Sequence, residues 1–109
     1  MGWTDFVHGV QMVCPKCSHG WVSDWTETKS FNPPHADGCH EFEVGVPDDL
    51  AETDGEMELC DNCTKCDALV WAYCPVGEKV ISQPTRYRWF DYDTEKSTVI
   101  PAPQPKEQA

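Results

Sequence analysis

Seven cysteines stand in a chain of 109 residues, and their spacing is not random. Cys14-Pro15-Lys16-Cys17 places two of them three positions apart. Cys60-Asp61-Asn62-Cys63-Thr64-Lys65-Cys66 places three more at the same interval, so two CxxC pairs share Cys63. Two residues between cysteines let one tight turn aim both sulfurs at one point. Two such turns on neighbouring hairpins then supply the four thiolates of a tetrahedral metal site. Pro15 suits the first turn because its φ is already set. A chain built around two such turns needs short strands entering and leaving each of them.

Three facts favour metal over a disulfide framework. The count is odd. The cysteines cluster as CxxC. The N-terminal MGWTDFVHGVQMV has no basic segment followed by an apolar run, so no secretory signal is expected. A reducing compartment keeps such thiols free to ligate metal. Gly2 does not open a myristoylation motif, which wants Ser or Thr where Phe6 stands. No stretch approaches the roughly twenty apolar residues of a membrane span. A soluble, cytoplasmic protein is expected, in the host cytoplasm if the source is viral.

Nine prolines and seven glycines leave room only for a thin core, in which a metal cross-link would substitute for buried area. Short alternating segments run along the chain. Val10–Val13 and Trp21–Thr26 flank the first CxxC, the latter with Trp21, Ser23 and Trp25 on one face. Residues 27–40 read as a loop, with Pro33-Pro34 and Asp37-Gly38 as turn signals. Phe42–Val46 is a further strand with Phe42, Val44 and Val46 facing one way and Glu41 and Glu43 the other; residues 48–56 form an acidic turn or a single helical turn. Glu56–Leu59 leads into the second cysteine cluster. Ala68–Tyr73 presents Leu69, Trp71 and Tyr73 on one side. Lys79–Ser82, Arg86–Tyr92 and Thr98–Ile100 complete the set. No segment carries a sustained 3.6-residue period, so the fold is expected to be mostly β with antiparallel hairpins, a long acidic insert and little helix. One domain over 1–100 is expected, with a metal-centred part over about 10–74 and a C-terminal hairpin over about 75–100. Residues 101–109, PAPQPKEQA, read as a disordered tail.

Cys14 and Cys17 form the first ligand pair. For the second, Cys63 pairs with Cys66 or with Cys60. Lys16 and Lys65 occupy the same place in CPKC and CTKC, which favours Cys66, with Cys60 as the alternative. Cys39, Cys74 and His40 remain, and with Cys60 they form a conceivable second zinc site. Adjacent residues on a strand point to opposite faces, which disfavours Cys39 and His40 sharing an ion. Cys39 and Cys74 read better as small core residues. His19 is a candidate to replace a thiolate but reads better as a neighbour of the site. His8 and His35 read as surface residues.

The segments VCPKCSHGWV at 13–22 and NCTKCDALVW at 62–71 resemble the zinc-ribbon family. The resemblance covers about residues 10–74, with the forty-five residues between Cys17 and Cys63 as a long insert. It implies that each CxxC sits between two strands and that the two turns clamp one Zn²⁺. Compact size, an acidic insert and a short tail also resemble small phage-encoded zinc-ribbon proteins.

A four-cysteine site is closed, whereas catalytic zinc keeps an open position. HExxH, GxSxG and a Gly-rich phosphate loop are all missing from the sequence, and neither CxxC opens a helix as a redox motif would. The expectation is a protein that is not an enzyme; iron in place of zinc would give a rubredoxin-like centre. Formal charge is −11. Four thiolates with Zn²⁺ would bring it to about −13. From Asp37 to Asp61 there are ten acidic residues and neither Lys nor Arg. Such a run solvates a loop or docks a basic protein partner. Arg86, Arg88, Trp89 and Tyr92 are the candidate partner-binding residues, since Arg, Trp and Tyr dominate interface hot spots. The same interleaving could stack single-stranded nucleic acid, though the net charge disfavours it. A structural place in a viral assembly is a third expectation.

Overall fold

The structure, a computed structural model, describes residues 5–28, 40–51 and 55–103. Among these it is built of strands and turns, without helix. In chain order the strands are β1 (Asp5–His8), β2 (Val10–Val13), β3 (Gly20–Ser23), β4 (Thr26–Thr28) and β5 (Glu41–Glu43). Then come β6 (Gly55–Asn62), β7 (Leu69–Gly77), β8 (Val80–Ile81), β9 (Arg86–Asp91) and β10 (Lys96–Pro101). The large sheet runs β10-β9-β7-β6-β4-β1-β5, with β8 paired to β7, and β2–β3 is a separate hairpin. All pairings are antiparallel except β1 with β5.

Alternation explains the core. Met57 and Leu59 of β6, Val70, Ala72, Cys74 and Val76 of β7 and Tyr87 of β9 all turn inward and are buried. Val7 and Phe42 extend that layer, and Val10, Met12 and Cys14 close it from the β2–β3 hairpin. The Tyr87 hydroxyl donates to the carbonyl of Gln11, fastening the large sheet to the hairpin. Gln83 does the same from its loop. Its amide accepts from Gln11 N–H at 2.9 Å and donates to the Gly9 carbonyl at 3.0 Å. Thr26 and Thr28 are buried yet satisfied, donating to the carbonyls of Val7 and Glu58 at 2.7 and 2.9 Å. Buried hydroxyls need such partners.

Several segments differ from the sequence reading. Trp21–Thr26 is not one strand: β3 ends at Ser23 and β4 begins at Thr26 in the other sheet. The crossing is made at Asp24-Trp25, where Asp24 accepts from Gly9 N–H at 3.0 Å, and Trp25 is left 56% exposed. Trp21, packed against the core, and Ser23, buried, do share a face of β3, but Trp25 beyond its end does not join them. Phe42–Val46 shortens to β5, because Gly45 takes φ +84° and turns the chain, leaving Val46 exposed. β1 has no counterpart in the reading. β7 runs through Cys74-Pro75 without interruption, pairing with β6 on one side and β9 on the other. Pro101 belongs to β10 and Ala102 N–H donates to Thr85 at 2.8 Å, so the ordered chain continues past residue 100. Asp48 opens the expected acidic turn, accepting from Leu50 N–H at 2.9 Å. Cys39, His35 and residues 104–109 lie outside the described residues.

Candidate metal centre

The two CxxC segments sit at the tips of two hairpins built alike. The first is the loop between Val13 and Gly20, the last pair of β2–β3. The second is the loop between Asn62 and Leu69, the last pair of β6–β7. Cys14 N–H donates to the His19 carbonyl at 2.9 Å and Cys63 N–H to the Ala68 carbonyl at 2.8 Å. Ser18 N–H returns to Cys14 at 2.8 Å and Asp67 N–H to Cys63 at 2.9 Å. Ser18 and Asp67, each following the second cysteine, take φ +68° and +63°. That left-handed residue turns the chain back toward its strand, and short polar side chains tolerate it better than branched ones.

The four sulfurs of Cys14, Cys17, Cys63 and Cys66 lie within 4.8 Å of one another. Cys14 Sγ is 3.7 Å from Cys66 Sγ, and Cys17 Sγ is 3.6 Å from Cys63 Sγ. A tetrahedron with Zn–S bonds of about 2.3 Å has edges of about 3.8 Å, so the donor set fits such an ion in number, chemistry and size. The site is closed: all four donors are thiols, two buried and two half-buried. Burial pushes the Cys14 thiol up to about 12. Burial also raises Cys63, but N–H groups of Cys66 and Lys65 aimed at its sulfur outweigh it and bring the thiol down to about 7. A bound cation reverses the burial effect by favouring the thiolate outright.

Of Cys60 and Cys66, the structure brings only Cys66 into the cluster. Cys60 lies within β6, opposite Trp71 on one side and Glu27 on the other, and is not in the cluster. His19 lies outside the cluster; its Nε2 is 2.9 Å from Thr64 Oγ1, joining the first loop to the second. The His19 ring stacks on Trp21, whose Nε1 donates to Asp61 at 3.2 Å. A second site from Cys39, His40, Cys60 and Cys74 is not assembled among the described residues. Cys74 is fully buried, with its thiol pushed up to about 12 by burial and then by Glu56. His40 Nε2 is 2.8 Å from Asp48, and His8 Nε2 is 2.7 Å from Glu41.

The candidate partner residues divide between two faces. Arg86 and Arg88 lie on the outer face of the large sheet. There they stack on Tyr73 and Trp71, with guanidinium carbons 4.2 and 4.3 Å from the ring centroids. Arg86 forms a bidentate pair with Glu56, and Arg88 Nε donates to Tyr73 Oη at 3.0 Å. Trp89 is on the opposite face, beneath Lys16 Nζ at 5.3 Å. Tyr92, 75% exposed, sits past the end of β9 against Phe90 at 4.7 Å. Trp71 and Tyr73 are the partners of these arginines, and nothing in the residues around them marks the pairing. The alternation of LVWAY against RYRW carries that signal only once the two strands are known to pair.

The fold and site thus define a small β protein in which four cysteines from two hairpin loops form a cluster able to hold a metal ion. Comparison with protein families, with characterised proteins and with solved structures gave no match. No helix of the described residues is long and apolar enough to cross a membrane.

Proposed function

We propose that this chain is a non-catalytic binding module of a reducing compartment such as the cytoplasm. A structural Zn²⁺ holds its two hairpin loops, and its acidic surface docks a protein partner with a basic face. One observation carries the first half: four cysteine sulfurs within 4.8 Å, contributed by two loops of the same hydrogen-bond pattern. Four thiolates leave zinc no open position for substrate or water. Elsewhere, the cleft of about 290 Å³ beside β2 is lined by Val13, Pro84 and Ala102. Its polar members Gln11, Gln83 and Tyr87 are engaged in bonds that hold the chain. The acidic run supports the second half, since Glu41, Glu43, Asp49, Glu56 and Glu58 all have exposed positions.

A second reading, single-stranded nucleic acid stacked on the outer face, draws on the Arg86–Tyr73 and Arg88–Trp71 stacks. The formal charge of −11 opposes it. Native mass spectrometry tests the metal: one zinc is expected, and Cys14, Cys17, Cys63 and Cys66 should resist alkylation until a chelator is added. A visible absorption band would report iron instead. Salt-dependent binding to a basic protein, with oligonucleotide binding undetectable, would support the partner class. Oligonucleotide binding lost in Arg88→Ala would favour the second reading.

A further inference from the structure

The outer face of the large sheet carries one side chain per strand in an unbroken row. It runs Glu41 (β5), Phe6 (β1), Glu27 (β4), Cys60 (β6), Trp71 (β7), Arg88 (β9) and Val99 (β10), each directly opposite the next. One half of the row is acidic and the other is cationic and apolar. Val99 is 54% exposed, and Glu27 and Glu41 are exposed. Arg88 is engaged by Trp71, Tyr73 and Ser97, and no carboxylate pairs with it among the described residues. Nor does any described cation pair with Glu27.

We propose that this face is the contact surface of a homodimer, a second copy lying sheet on sheet about a two-fold axis parallel to the strands between β6 and β7. That axis lays β7 over β6, β9 over β4 and β10 over β1 of the second copy. Arg88 then meets Glu27, Trp71 meets Cys60 and Val99 meets Phe6, each contact made twice. An axis across the strands would instead lay each strand on its own counterpart and set Arg88 against Arg88. A uniformly basic partner fits the face less well, because it would meet Arg88. A second copy carries the inverse pattern by symmetry.

The size is adequate for a reversible dimer. Seven strands spaced about 4.8 Å apart and three to nine residues long cover roughly 500–600 Å² of each copy. Two copies together reach about 1,000 Å², the lower bound for a specific interface. Repulsion between chains of charge −11 acts mostly beyond the Debye length of about 8 Å at physiological salt and is screened there. Contacts across the face are shorter and survive it.

The inference shares Glu41 with the basic-partner reading but does not depend on it, and it is tested without a partner. Zinc-loaded full-length protein is taken from micromolar to millimolar concentration in sedimentation equilibrium at 0.15 M salt. A concentration-dependent dimer is expected. Arg88→Glu and Glu27→Arg should each weaken it by roughly tenfold or more. The double variant should restore it, and an equimolar mixture of the two single variants should associate. Zinc content and far-UV circular dichroism check that each variant folds. A monomer at every concentration would overturn the dimer. So would a dimer indifferent to both swaps, or a loss that the double variant does not repair. A monomer that still captured a basic protein would sink this inference alone and leave the binding-module reading in place.

Discussion

Cys63 stands three residues from Cys60 and three from Cys66, and the two neighbours have different surroundings. Cys60 is locked in a ladder position of β6, where strand geometry dictates its direction. Cys66 is in the turn, free to aim at the first loop. Cys66→Ser should therefore weaken zinc binding by more than the 10- to 100-fold typical of losing an outer partner, while Cys60→Ser should leave it near the parent value. Competition with a chromophoric chelator measures both. Ser18 presents a different residue-scale test. Its φ of +68° suits a short polar side chain, so Ser18→Val should cost about 1–2 kcal/mol, seen as a lower unfolding midpoint of the zinc-loaded protein. The correspondence of Lys16 with Lys65 favours the same pair of cysteines that the fold brings beside Cys14 and Cys17. The left-handed positions that follow each pair were not legible, since Ser and Asp at 18 and 67 do not announce a positive φ as Gly would.

Among elements, the two CxxC hairpins are equivalent in hydrogen bonding but unequal in support. The β6–β7 hairpin is held in the middle of the large sheet, whereas β2–β3 stands apart and is tied to it by Tyr87, Gln83 and the cysteine cluster. Tyr87→Phe removes a buried donor to the Gln11 carbonyl and should lower stability by about 1 kcal/mol in urea titration. Leu59→Ala, at the centre of β6 and 1% exposed, should cost about 2–5 kcal/mol. Strand periodicity identified β2, β5, β7 and β9 within a few residues, because each has one face in the core. It failed at Trp21–Thr26. Alternation continues in the letters there, but the chain leaves one sheet for another, and a local pattern cannot record a change of partner. It also missed β1, whose Asp5 and His8 flank Phe6 and Val7 and leave too short an apolar signal.

For the whole molecule, a metal held by the four thiolates would be linked to protons. Protons compete for the thiolates, so zinc affinity should fall as pH falls, and chelation at neutral pH should unfold the β2–β3 region first. In zinc-finger peptides such a site contributes roughly 10–16 kcal/mol of apparent binding energy. Two other groups act at the alkaline end. Burial, followed by nearby negative charge, pushes Cys74 up from 9.0 and Tyr87 up from 10.0, both to about 12. Each is more readily deprotonated in the unfolded chain. Their contribution to stability is complete below about pH 9 and is lost as pH rises toward 12. Urea midpoints across that range should therefore decline, and less steeply in Cys74→Ala than in the parent.

Cysteine spacing determined that the chain would form two cysteine-turn hairpins, and hydropathic alternation determined that it would be a β protein. Both are local properties, set by the reach of a four-residue turn and by the two-residue period of a strand. Which strands lie side by side was decided only in the folded chain. Pairing across dozens of residues put Trp71 beneath Arg88, Glu27 beside Cys60 and Tyr87 against the Gln11 carbonyl. None of those contacts has a signature in neighbouring residues, because each depends on the order of strands in the sheet.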